Sequence, residues 1–72
     1  MMELHRLEAI CEAVGTSLDQ HGADRDAFAA YLRDAHVTRV EVAEALEDVG
    51  RLERDRAEAS TALLHRALER LD

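Results

Sequence analysis

Four histidines, one cysteine and sixteen carboxylates are the side chains of this 72-residue chain best suited to chemistry. A zinc site built on one helix needs ligands three or four positions apart, so that they share a face. His5, His21, His36 and His65 are at least fifteen positions from one another, and none lies three or four from Cys11. They read as surface residues, with His21 and His36 suited to the negative ends of helices. Cys11 lies among apolar residues with Glu8 and Glu12 beside it, so nothing in its surroundings favours a thiolate. It reads as buried packing, and an intermolecular disulfide through it would be opposed by a reducing compartment. Catalysis by acid–base or nucleophilic chemistry needs paired groups held rigidly in a pocket. The carboxylates here are spread along charged helical stretches, three glycines make no phosphate-cradling loop, and so short a chain encloses little substrate volume. The expectation is no enzyme, no metal and no cofactor.

Charge narrows the partners. Nine basic residues, all arginine, stand against sixteen acidic ones, for a net charge of −7. A generic basic surface for nucleic acid is therefore disfavoured. The imbalance is uneven: residues 1–50 carry four arginines and eleven acidic residues, whereas residues 51–72 carry five of each. A lone cysteine makes no internal disulfide, and neither a secretory signal nor a membrane-length apolar run is evident, so the expected compartment is the cytoplasm.

The elements that must position any site are helical throughout. Leu4, Leu7, Ile10, Cys11, Val14 and Leu18 recur at steps that make one stripe, predicting a helix over 3–21. Leu4, Cys11 and Leu18 occupy one heptad position and Leu7 and Val14 another, as in a bundle seam. Gly15-Thr16-Ser17 weakens its middle and leaves room for a kink or an early stop. Gly22 suits a left-handed turn, and Asp24 suits the cap of a second helix over 25–35 that carries Phe28, Tyr31 and Leu32 on one face. Thr38 with Glu41 forms a capping box, flanked by Val37 and Val42 as a hydrophobic staple. The third helix then starts at Arg39 with the stripe Val42, Leu46, Val49 and Leu52, and the periodicity resumes at Leu63, Leu64, Ala67, Leu68 and Leu71. Pairs such as Glu47–Arg51, Asp48–Arg51 and Glu53–Arg56 favour one continuous helix over 39–71. Gly50 as a C-cap or Ser60 as an N-cap would break it.

The expected architecture is all-α, one domain over 1–72, with two shorter N-terminal helices packed on a long C-terminal helix. A chain of this size buries only about 60% of its unfolded surface, so a partner is expected to complete the core. The favoured function is a non-catalytic protein-interaction or oligomerisation module. Its expected form is a homodimer in which Val42, Leu46, Val49 and Leu52 meet their copies, with a protein client as a further partner. Residues 24–70 offer a second reading. Val37-Thr38 leading into Val42-Ala43-x-x-Leu46, and Leu64 to Leu71 behind it, resemble a helix-turn-helix. That resemblance implies a DNA-binding regulator in which Arg51, Arg54 and Arg56 face the duplex, with Glu53, Asp55 and Glu58 interleaved among them. A third reading takes the acidity itself as the function, as in an antitoxin or inhibitor that presents carboxylates to a basic surface.

Overall fold

The computed structural model describes residues 1–71. These form four α-helices in the order α1 (Leu4–His21), α2 (Arg25–Asp34), α3 (Arg39–Asp48) and α4 (Arg54–Leu71), with a 3-10 turn over Val49–Arg51 between the last two. No strand occurs among the described residues.

Helix α1 follows its stripe: Leu7, Ile10, Cys11, Val14 and Leu18 are buried. It runs unbroken through Gly15-Thr16-Ser17, because tertiary contacts outweigh the weak local propensity. Ser17 is fully buried and its hydroxyl donates to the Phe28 carbonyl at 3.2 Å, which stitches α1 to α2. The expected left-handed turn at Gly22 does not form. Gly22 has φ −59°, and glycine is required there for space, since a Cβ would lie 2.6 Å from the Leu18 carbonyl oxygen. Asp24 caps α2 as expected, accepting from the Ala27 N–H at 3.0 Å.

The left-handed residue is instead His36, with φ 59°. It closes α2 in a Schellman arrangement: the Val37 N–H donates to the Leu32 carbonyl at 2.9 Å and the His36 N–H to the Arg33 carbonyl at 3.0 Å. Val37 and Leu32 are both buried, which supplies the apolar contact that this motif favours. The chain then enters α3 through the capping box. Thr38 Oγ1 accepts from the Glu41 N–H at 3.2 Å, and the Thr38 N–H donates to Glu41 Oε1 at 3.2 Å.

The continuous helix over 39–71 is overturned. Helix α3 stops at Asp48, Leu52 is extended (φ −80°, ψ 165°), and α4 begins at Arg54. A straight helix of that length would run about 50 Å, whereas the molecule's longest dimension is 30 Å. The break lets α4 fold onto α1, α2 and α3. Leu52 turns into the core at the break, and Leu64 and Ala67 become fully buried. Ser60 is no cap; it lies mid-helix, buried against Cys11. Of the expected charge pairs, Asp48–Arg51 forms at 3.9 Å, but Arg56 reaches across to Glu8 on α1 at 3.1 Å.

The centre of the core is Phe28 with Leu7, Ile10, Val14, Leu32, Val42 and Leu64, each at most 1% exposed. Burying a side chain of this kind stabilises a fold by about 1.5–3 kcal/mol. The radius of gyration is 11.0 Å, close to the ~11 Å of a folded single chain of this length.

Candidate functional site

The residues singled out for chemistry do not converge. Among the described residues no group of three or more His, Cys, Asp and Glu could hold a metal ion. His5 is exposed near Glu3, His21 lies beside Tyr31 with ring centroids 5.9 Å apart, and His65 is exposed. Burial pushes the Cys11 thiol above its ordinary value, against the opposing effects of a Ser60 hydrogen bond and the Arg56 charge, while Glu8 adds to the rise. A thiol held in that state is a packing group.

The arginines of the helix-turn-helix reading are dispersed. Arg51 pairs with Asp48 and donates to the Met2 carbonyl, and Arg56 is held by Glu8. Arg54 is exposed, with Glu53 and Asp55 exposed on either side. The stripe assigned to a second copy is filled from within the chain. Val42, Val49 and Leu52 are buried and Leu46 is half-buried against the same core. The remaining named apolar residues behave as core: Leu7, Cys11, Val14, Leu18, Phe28, Leu32 and Leu64 are buried, and Tyr31, Leu63 and Leu71 pack against them. Leu4 is the exception at 42% exposed.

A groove of about 390 Å³ opens between the C-terminal half of α2, the α2–α3 turn and the last turn of α4. Ala29, Leu32, Val37 and Leu71 make an apolar floor, and Arg33, His36 and Thr38 contribute the polar edge. Local rules place most of these residues. Ala29, Leu32 and Arg33 are spaced to share one side of α2, and the left-handed turn brings His36 to the same groove. The Schellman turn aims Val37 back onto Leu32, and the staple packs Val37 near Val42 at the start of α3.

The turn is fastened from behind by Arg6 on α1. Its guanidinium donates to the His36 carbonyl at 2.7 Å and to Glu41 Oε2 at 2.9 and 2.6 Å. Glu41 thus divides its oxygens, Oε1 serving the helix cap and Oε2 serving Arg6. The hydrogen bond from Arg6 holds its carboxyl below the usual value against the opposing effect of desolvation, with Thr38 and the Arg6 charge assisting. On the α4 side, Arg70 lies over the Phe28 ring at 5.9 Å, within cation–π range. The groove is therefore a preformed surface feature, buttressed by three helices.

Two further depressions differ in character. One, of about 340 Å³, lies between α1 and α4 at Gly15, Leu18, Asp19, Leu63 and Arg66. The other, of about 220 Å³, is acidic, with Glu44, Glu47 and Asp48 beside Met1 and Met2.

The composition of the groove was only partly legible in the sequence. Leu32, Val37, Thr38 and Leu71 were each assigned a structural place, but nothing linked them. Ala29 and Arg33 carry no local signal, and His36 is legible as a residue at a helix end but not as a left-handed one. No family model, curated protein or solved structure matches this chain. The functional reading therefore rests on the chemistry of the surface.

Proposed function

We propose that this chain is a non-catalytic protein-interaction domain that receives apolar side chains of a partner in the groove between α2 and α4. The observation that carries the reading is the groove itself: a concavity of about 390 Å³ in which half-buried Ala29 and Leu71 flank the buried Leu32 and Val37, edged by exposed Arg33, His36 and Thr38. Apolar surface left in a concave, polar-edged site is the common form of a protein docking site. The buttressing by Arg6 and the capping box reduces the ordering that binding would otherwise require. A dimer through Val42, Leu46, Val49 and Leu52 would need the core to open, so the proposed partner surface moves from that stripe to the groove.

The test is a selection from a displayed library of random short peptides on the immobilised protein, followed by amide-shift mapping of the recovered segments. Binding that perturbs the amides of Ala29, Arg33, His36 and Thr38, and is lost in Ala29→Trp, supports the reading. Recovery of no segment, or of segments that bind Ala29→Trp equally well, overturns it.

A further inference from the structure

The chemistry of the groove's edge narrows the occupant, on the reading that the groove is a docking site. We infer that it takes a segment of another protein that combines apolar side chains with a carboxylate. In a chain with sixteen acidic residues and a net charge of −7, none of the described residues lining this groove is acidic, whereas Asp19 lines one of the other two depressions and Glu44, Glu47 and Asp48 the other.

Arg33 supplies the complementary charge. Among the described residues, Arg6, Arg51 and Arg56 are engaged by carboxylates and Arg70 covers Phe28. Arg33 is exposed and, like Arg25, Arg54 and Arg66, makes no ion pair with a described residue; of these four it is the one that lines this groove. A guanidinium offers a planar pair of N–H donors that matches a carboxylate's two oxygens. His36 stands beside it with further ring N–H capacity.

The backbone at His36 agrees with this assignment. A left-handed residue at a helix C-terminus is normally glycine, because any other side chain costs about 1–2 kcal/mol there. His36 adopts that conformation with its ring on the groove edge, and strain of this kind is found at binding sites. The apolar floor supplies affinity, and Arg33 with His36 selects for the anionic flank.

The experiment is the same display selection run in parallel on the wild type, Arg33→Glu and Ala29→Trp, each confirmed as folded by circular dichroism. Wild-type selection is expected to recover segments in which apolar residues are joined to Asp or Glu. Those segments should bind Arg33→Gln about fivefold more weakly, and selection on Arg33→Glu should shift toward Lys and Arg. Apolar segments with no acidic bias, bound equally by Arg33→Gln but lost in Ala29→Trp, would overturn this inference and leave the docking site standing. Segments that bind Ala29→Trp as well as wild type, or no enrichment at all, would overturn both.

Discussion

Replacing Val42 with alanine tests whether the α3 stripe belongs to the chain's own core. Val42 is fully buried, at 0% exposure, in the cluster that includes Ala45 and Leu64. The change deletes two methyl groups, about 0.8 kcal/mol each in transfer, and the residual cavity raises the loss to about 2–3 kcal/mol. A domain of this size holds on the order of 5 kcal/mol in total, so the variant stays folded at room temperature with a large loss. At ~4–8 °C per kcal/mol, its Tm should fall by about 10 °C or more. The assay is thermal unfolding followed by far-ultraviolet circular dichroism at two protein concentrations. If the stripe packs within one chain, the midpoint falls by that amount and neither protein's midpoint depends on concentration. A wild-type midpoint that climbs with concentration, and a loss in Val42→Ala that varies with concentration, would place the partner of Val42 in a second copy and refute the reasoning.

The other predictions concern the turn, the clamp behind it and the thiol. Thr38→Ala removes the capping-box acceptor and should cost about 1 kcal/mol in urea unfolding. His36→Gly relieves the left-handed strain but loosens the unfolded chain, and the net expectation is a gain of about 0.5–1 kcal/mol by the same assay, with weaker peptide binding. Because the folded-state pKa of Glu41 lies below its ordinary value, its contribution is complete above that ordinary value and lost as pH falls through the lowered one. Arg6→Met should therefore flatten the acid limb of the stability profile, and an unchanged acid limb would count against the clamp. Cys11, buried with its thiol pKa raised, should react slowly with a thiol reagent in the native protein and quickly in urea; equal rates would contradict its burial.

What was legible in the sequence was local. The stripe of α1, the Asp24 cap and the Thr38–Glu41 box depend on residues within one or two turns, and each has the geometry that its spacing implies. The break between α3 and α4 was not legible to the same degree. Glu47, Asp48, Arg51, Glu53 and Arg56 offer charge pairs on both sides of it, and what decides the matter is the burial of Leu52, Leu64 and Ala67 against distant helices. Gly50 contributes no steric requirement, since a Cβ there would meet nothing within 4 Å. His36 was hidden for a different reason: glycine advertises a left-handed turn and histidine does not, so Gly22 drew the expectation that His36 fulfils. The groove depends on Leu71 meeting α2 after a long excursion of the chain, a long-range contact that no window of residues contains.

The central claim, that a partner's apolar segment docks between α2 and α4, is tested most directly by an amide-resolved NMR titration of the isotope-labelled protein with a segment recovered by selection. The account predicts shifts concentrated at Ala29, Arg33, His36, Thr38 and Leu71, saturable in the wild type and absent in Ala29→Trp. Shifts centred elsewhere, on the acidic depression at Glu44 and Glu47 or on the α1–α4 face at Gly15, and unaffected by Ala29→Trp, would contradict it.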